Sequence, residues 1–375
     1  MKHYPFLNLA TINHRYNDAI KEAVNRVVDS GIYIGGPEVE AFEKNICDIC
    51  NTSHCIGVST GLDALRLILR GYMELGQLKP NDEIIVPANT FIASVLAITD
   101  NNLKPIFVDP NQISHNIDSN SLESHITPNT KAIMLVHLYG RVAWDENIVA
   151  IAKKYGLKVI EDNAQALGAT SLYPGLHDSY NTGSLGDAAA ISFYPTKNVG
   201  AMGDAGAIVT NDSDLAQVAA SLRNYGSDKQ YHNTYRGLNC RLDPIQAAII
   251  NTKLPYLKEE NEYRQQIADI YDQHIDNNEI IKPIKRVKNE VVWHQYVIRV
   301  SNRTHFRDYM LSNGIETGIH YPIPPHKQLC YEQYSHLALP IAEQLANEVV
   351  SLPISRCTSI NDAHEIATII NKYRR

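Results

Sequence analysis

The chain has 375 residues with 34 Lys and Arg against 41 Asp and Glu, a formal charge of −7, so it lacks the basic footprint of a nucleic-acid binder. With 44% hydrophobic and 20% charged residues, and only 20 glycines and 17 prolines, it has a globular composition and the length of two or three domains, with no repeat, low-complexity tract or flexible linker. No apolar run reaches the ~18 to 20 residues of a membrane span, and Met1-Lys2-His3-Tyr4-Pro5 does not open as a signal peptide, so a cytoplasmic location without a membrane partner is expected.

The first helix expected covers Glu40 to Cys47, with an apolar face that buries Cys47 and Cys50. Cys47, Cys50, His54 and Cys55 have the short spacing of half a zinc site, but no second half follows. Six cysteines are also too few and too scattered for a disulfide framework, so reduced thiols and no metal are expected.

Next, GVSTGLDALRLIL (57–69) carries a strand end into a helix through Ser59-Thr60-Gly61. A helix start offers unpaired N–H groups and a positive dipole end, and a glycine there lets backbone approach an anion closely. The runs EIIVP (83–87), PIFVD (105–109), AIMLVH (132–137), KVIED (158–162) and AAISFY (189–194) are short, apolar and β-branched, with helical patterns such as NIVAIAKKYG between them. That rhythm predicts βα units and a mostly parallel central sheet with helices on both faces.

Near Asp243 the character changes. A long amphipathic helical stretch, DPIQAAIINTKLPYLKEENEYRQQIADIYDQHI, is followed by VVWHQYVIRV, a proline-rich loop HYPIPPHKQ and a last helix from about Asn361. The division expected is a large α/β domain over 1–245, including an N-terminal arm, and a smaller α+β domain over 246–375.

Ligands of doubly wound sheets bind at the carboxyl ends of the strands. The polar residues that follow each run are therefore expected to converge: Asn89, Thr90 and Phe91; His137, Tyr139 and Arg141; Asp162 and Gln165; Ser192 and Lys197. A lysine, an acid and an aromatic in one crevice suit pyridoxal phosphate. That cofactor needs an amine to form an imine, a carboxylate to keep its ring nitrogen protonated, a flat face against the ring, and donors for its phosphate. Lys197, Asp162 and Phe91 supply the first three, and Thr60, Gly61 and Ser192 the fourth. Each has a plainer alternative. Lys197 could be solvated, Asp162 could cap a helix, Tyr194 and Tyr225 could be packing residues, and His320-Tyr321-Pro322 could be a turn.

The motifs STGLDAL, EDNAQALGA, SFYPTKN with GDAGAIVTND, and NCRLDPIQAA resemble those of the DegT/DnrJ/EryC1/StrS family of sugar aminotransferases, in order, from GIYIGGPEVEAFE to VVSLPIS. The resemblance implies the aspartate aminotransferase fold, fold type I of the pyridoxal phosphate enzymes. It makes Lys197 the imine-forming lysine and Asp162 the partner of the ring nitrogen. Gln165 would lie near the phenolic oxygen, with Thr60, Gly61, Leu62 and Ser192 on the phosphate. Asn239 would reach the phosphate across the interface of an obligate homodimer with shared active sites. A related sugar 3-dehydrase has histidine in place of the lysine, so the retained Lys197 favours transamination from L-glutamate to a keto sugar.

HLYG, RNYGSDKQYHNTYRG and HYPIPPH are similar to enzymes that aminate C3 of a dTDP-linked 3-keto-6-deoxyhexose. Alternatives are amination at C4 of a nucleotide-linked 4-keto-6-deoxyhexose and a pyridoxal-phosphate-binding regulator without turnover. The excess of tyrosine over phenylalanine, 21 against 6, suits a carbohydrate site. Candidates for the nucleotide sugar are Tyr194, Tyr225, Lys229, Tyr231, Arg241, His320 and Tyr321, with Arg223, Lys229, Arg236 or Arg241 for the diphosphate. Arg141 stands where glutamine is expected after HLYG, and it either alters the sugar pocket or meets a carboxylate. The chain contains neither G-x-x-x-x-G-K-[ST] nor G-x-G-x-x-G, which speaks against a P-loop protein and a dinucleotide dehydrogenase.

Overall fold

Seven strands, most of their residues buried, make the central sheet of the computed structural model, which describes residues 2–284 and 289–374. They are β1 (His54–Val58), β2 (Glu83–Pro87), β3 (Lys104–Val108), β4 (Thr130–Val136), β5 (Lys158–Asp162), β6 (Ala188–Ser192) and β7 (Gly206–Thr210), in the spatial order β1-β7-β6-β5-β4-β2-β3. Strands β3, β2, β4, β5 and β6 run parallel, and β7 lies antiparallel between β6 and β1. The predicted β2 and β5 match the observed bounds, while β3, β4 and β6 shift by one or two residues.

Helices α1 (Leu9–His14), α2 (Asn17–Ser30) and α3 (Pro37–Cys50) precede the sheet. The connections carry α4 (Gly61–Glu74), α5 (Ile92–Asp100), α6 (Glu146–Tyr155) and α7 (Ser213–Leu222). One face of the sheet is covered by Ile68 and Leu69 of α4, Val95 and Ile98 of α5 and Leu215 of α7, against Val86, Met134, Ile160 and Ile208. The other face takes Phe42 and Ile46 of α3 and Ile148 of α6. Strands covered on both sides have no polar face, which is why they read as continuous apolar runs. Each fully buried Leu or Ile contributes about 1.5–3 kcal/mol relative to exposure.

Helix α3 starts earlier than expected, because Pro37 at its first position follows the turn at Gly36, where φ is 81°. It buries Cys50 but leaves Cys47 half-buried, which corrects the expectation that both are enclosed. Burial pushes both thiols up from their usual range. Among the described residues no group of three or more His, Cys, Asp or Glu could hold a metal ion, and no helix is long and apolar enough to cross a membrane.

After α7 comes a hairpin of β8 (Ser227–Lys229) and β9 (His232–Asn233), then α8 (Pro244–Lys253) and α9 (Leu257–His274). The chain continues through β10 (Tyr296–Arg299), α10 (Arg303–Ser312), α11 (Pro340–Glu348), β11 (Val349–Leu352) and α12 (Ile360–Lys372). A second core joins Ile267 and Tyr271 of α9, Tyr296 and Ile298 of β10, Phe306 and Met310 of α10, Leu352 of β11 and Ile366 and Ile370 of α12. Tyr4 of the N-terminal segment packs into it too, with its N–H donating to Gly314 O at 2.8 Å.

Candidate active site

Neighbouring residues of a strand point to opposite faces of a sheet, and the two acids that end β5 do different work there. Glu161 is fully buried and accepts from the N–H groups of Gly183 (2.8 Å), Leu185 (2.9 Å) and Gly186 (3.0 Å) and from His137 Nε2 (2.8 Å). His137 Nδ1 accepts from Ala143 N–H at 2.9 Å, so its hydrogen sits on Nε2 and points at Glu161. His137 therefore belongs to the core and does not join the crevice, as the strand-end rule had suggested. Asp162, on the other side, accepts at Oδ2 from Ser94 Oγ (2.7 Å) and at Oδ1 from Ala164 N–H (3.2 Å). Ser94 Oγ in turn lies 2.8 Å from Thr90 Oγ1.

Lys197 sits half-buried in the turn after β6, with its N–H donating to Tyr194 O at 2.8 Å. Burial lowers its pKa from 10.5 to about 8, opposed by the attraction of the Asp162 carboxylate. Two histidines feel the same amine: burial first and the Lys197 charge second lower His320 to about 4 and His294 well below its usual value. Lys197, Asp162, His294 and His320 thus share one cluster.

Gln165 joins it, accepting at Oε1 from Tyr139 N–H (2.6 Å) and donating from Nε2 to the Tyr321 hydroxyl (3.1 Å). The Tyr321 ring is 5.1 Å from that of half-exposed Phe91, and burial, followed by the Asp162 charge, raises its phenol. The Tyr139 hydroxyl donates to His320 O.

Thr60 caps α4, its Oγ1 accepting from Asp63 N–H at 2.9 Å, while Thr60 O takes the N–H of Ala64 at 3.0 Å. The N–H groups of Gly61 and Leu62 are then the open donors of the first turn. A Cβ at Gly61 would lie 2.8 Å from Ser192 Cβ, and one at Gly206 would lie 2.4 Å from the carbonyl carbon of Thr60. Glycines thus press this turn against the ends of β6 and β7. Open backbone donors, a nearby hydroxyl, a lysine amine and a carboxylate make a donor set that fits pyridoxal phosphate.

Other expected site residues are not drawn in. Lys229 and Asn239 are exposed, and Tyr231 is 93% exposed at the β8–β9 hairpin. Half-exposed Tyr225 lies 5.4 Å from the Arg241 guanidinium, which donates to Asn224 Oδ1 at 2.7 Å. Arg223 is taken up by Glu43 Oε1 and Gly57 O, each at 2.6 Å, which corrects its candidacy for a diphosphate. Arg236 is exposed. Tyr194 is half-exposed beside the Lys197 turn. Arg141 is buried, donates to Ile284 O at 2.8 Å and lies 6.0 Å from the Trp293 ring. There it lines a small cavity of about 20 Å³ with His115, Tyr139 and Gln295. Sequence reasoning passed over Ser94, His294 and Asn198, which stand beside the key groups. Asn198 alone carried a signal, as the neighbour of Lys197.

A parallel sheet with one reversed strand, and a lysine and an acid after the carboxyl ends of two adjacent strands, suit a cofactor-dependent enzyme of the aminotransferase class. The chain belongs to the DegT/DnrJ/EryC1/StrS aminotransferase family, whose family model matches residues 15–371. It is 49% identical over 369 residues to the dTDP-3-amino-3,6-dideoxy-alpha-D-galactopyranose transaminase of Aneurinibacillus thermoaerophilus, spanning 98% of this chain and 99% of that one. It is 42% identical over 369 residues to the erythromycin biosynthesis sensory transduction protein EryC1 of Saccharopolyspora erythraea, spanning 97% and 98%. Among solved structures it is similar to S. venezuelae DesV in complex with a ketimine intermediate, with a TM-score of 0.94, 37% identity, and 99% and 98% of the two chains covered. The family and these neighbours imply a pyridoxal-phosphate-dependent aminotransferase.

Proposed function

We propose that this chain moves an amino group from L-glutamate to C3 of a dTDP-linked 3-keto-6-deoxyhexose and so makes a dTDP-3-amino sugar. The observation that carries the reading is the placement of Asp162 at the end of β5 and Lys197 in the turn after the adjacent β6, where burial lowers the lysine amine to about 8 and the Asp162 carboxylate opposes the shift. The end-to-end similarity to a transaminase named for such a sugar supports the substrate.

In this reading Lys197 holds pyridoxal phosphate covalently, and Asp162, oriented by Ser94, keeps a proton on its ring nitrogen. Phe91 covers the ring, Gln165 lies near its phenolic oxygen, and the N–H groups of Gly61 and Leu62, with Thr60 and Ser192, hold its phosphate. When bound, the cofactor supplies an electron-accepting ring that stabilises negative charge at the donor Cα. A lysine lowered to about 8 keeps an appreciable neutral fraction near pH 7, so Lys197 can take the Cα proton and hand it back. Tyr194, His320 and Tyr321 border the approach and are assigned to the sugar.

The exposed Tyr225, Lys229, Tyr231, Asn239 and Arg241 are assigned to the active site of a second copy in a homodimer, with Asn239 on its phosphate. Exposed Ile32, Tyr33 and Ile34 support such an interface. A large unit over 1–245 and a small one over 246–375, and a cytoplasmic location, belong to the same reading. Ala247 and Ile250 of α8 pack with Phe42 and Ile46 of α3, which favours a division after α8 over one at residue 245.

The test supplies the protein with pyridoxal phosphate, glutamate and either a dTDP-linked 3-keto or 4-keto-6-deoxyhexose. Mass spectrometry follows the product and NMR locates the new C–N bond, expected at C3. A bond at C4 establishes the alternative substrate. Failure to form 2-oxoglutarate from glutamate would favour the regulator, a reading that the name of the EryC1 relative keeps in view.

A further inference from the structure

A second lysine is bonded to the turn that carries Lys197. Lys253, the last residue of α8, is buried, and its Nζ donates to Gly200 O at 2.6 Å and to Asn13 Oδ1 of α1 at 2.6 Å. An ammonium only donates, so the Asn13 amide turns its oxygen toward it. Gly200 stands three residues after Lys197. A Cβ there would lie 2.2 Å from Pro195 O, so the chain folds back tightly on itself at the point where the Gly200 carbonyl meets Lys253.

Other bonds of this turn either close it on itself or leave from one side chain. Lys197 N–H donates to Tyr194 O and Ala201 N–H to Phe193 O, each at 2.8 Å, while Asn198 Nδ2 reaches Asn261 Oδ1 at 2.9 Å and Val292 O at 3.0 Å. A cavity of about 20 Å³, the size of one water, is lined by Lys197, Gly200, Lys253, Asn13, Tyr16 and Arg264, so the turn does not rest on a fully packed floor. Glu260 borders the cavity too, but it is engaged by Arg15 at 2.6 Å, Tyr16 at 2.9 Å and Arg356 at 3.2 Å. Among the described residues Lys253 therefore meets only two neutral oxygens and the negative end of its own helix. Burial lowers its amine to about 8, so the charge is held there at a cost to folding.

We propose that Lys253 is a positioning residue for Lys197: it ties the Lys197 turn to α1 of the N-terminal segment through Gly200 and Asn13, and so fixes the backbone from which the Lys197 amine reaches the cofactor. This rests on Lys197 as the reacting amine and gives the N-terminal segment a part in the site. The same segment touches the site a second time, since the Phe6 ring stacks on His320 with centroids 5.9 Å apart.

Hydrogen exchange of the cofactor-free protein reads the turn directly, because the N–H groups of Lys197 and Ala201 are protected by bonds inside it. Lys253→Met removes both bonds together with the buried charge. It should leave the urea midpoint close to parental, speed exchange in peptides covering 195–201 about tenfold or more, and weaken equilibrium binding of pyridoxal phosphate about tenfold, the weight of one hydrogen bond to a charged group. Asn13→Ala should give part of these effects, whereas Asn13→Asp keeps the acceptor and should stay near parental. Asn13 is half-buried on α1, so its two variants test the tie even where Lys253→Met does not fold. Parental exchange at 195–201 in folded Lys253→Met, faster exchange spread equally over β5 and β6, or equal behaviour of Asn13→Ala and Asn13→Asp overturns the proposal. Exchange and cofactor binding are read without substrate, so an error in the assigned reaction is recognised separately, in the product assay.

Discussion

Ser94 on α5 donates from Oγ to Asp162 Oδ2 at 2.7 Å, and the Ser94 oxygen itself lies 2.8 Å from Thr90 Oγ1. This leaves Oδ1, held only by a longer contact from Ala164 N–H, as the oxygen available to a ring nitrogen. Ser94→Ala should leave the protein folded and lower kcat/KM for glutamate about tenfold, the effect of one hydrogen bond to a charged group. Steady-state kinetics check it, with Ser94→Thr expected to recover part of the loss.

Lys197 gives a stability signature that requires no substrate. The unfolded lysine titrates near 10.5 and the folded one near 8, so below pH 8 both states are charged and the folded state bears the full cost of burying the charge. Between those values the unfolded chain binds more protons, and folded stability rises with pH. Lys197→Met should therefore stabilise the cofactor-free protein at pH 7, by at most about 3 kcal/mol, and the advantage should vanish by about pH 10.5. Urea unfolding at the two pH values decides it. Lys197→Met should also abolish covalent attachment of cofactor after borohydride reduction.

The glycines of the cradle should separate cofactor affinity from folding. In Gly61→Ala the new methyl meets Ser192 Cβ, a side chain that can give a little. In Gly206→Ala it meets the Thr60 backbone at 2.4 Å, and backbone must move. Equilibrium binding of pyridoxal phosphate should weaken about tenfold in the first and further in the second, with only Gly206→Ala losing about 1–3 kcal/mol of stability.

Glu161→Gln tests the buried acid on the opposite face. The carboxylate takes three N–H groups and His137, and an amide oxygen cannot serve all four while its NH2 faces donors. A loss of about 3 kcal/mol or more is expected in denaturant unfolding, because each stranded buried donor costs about 1–3 kcal/mol.

The proposed sharing of active sites between two copies predicts complementation. Lys197→Ala and Asn239→Ala proteins, each impaired alone, should regain roughly a quarter of parental activity when mixed and refolded, since half the dimers then carry one intact site. No recovery in mixtures whose exchange is verified by native mass spectrometry would place Asn239 outside a second copy's site.

Much of this was readable from the chain. β2 and β5 appear at their predicted bounds because strands buried on both faces leave unbroken apolar runs. β7 was not read as a strand, because GAIVT follows a glycine-bearing turn and owes its place to non-local pairing with β1 and β6. Lys197, Asp162, Gln165, Thr60 and Gly61 were singled out by combining strand ends with a family pattern. Ser94 carried no mark, since a serine in IASVLAITD acquires meaning only where α5 passes β5. His137 misled because a histidine after a strand looks the same whether its ring turns to the crevice or to Glu161. Lys253 was hidden for a related reason: its two acceptors, Asn13 and Gly200, are brought near by distant parts of the chain.

The paired acids of β5 also bear on how the chain assembles. A slip of one position along that strand would send the carboxylate of residue 162 among the core donors and leave residue 161 in the crevice with a longer, misdirected arm. Such a misthreaded chain would strand hydrogen-bond donors inside it, so the arrangement that gives the wrong chemistry is also the one most readily unfolded. Folding quality control and catalytic competence are thereby tied to a single peptide unit.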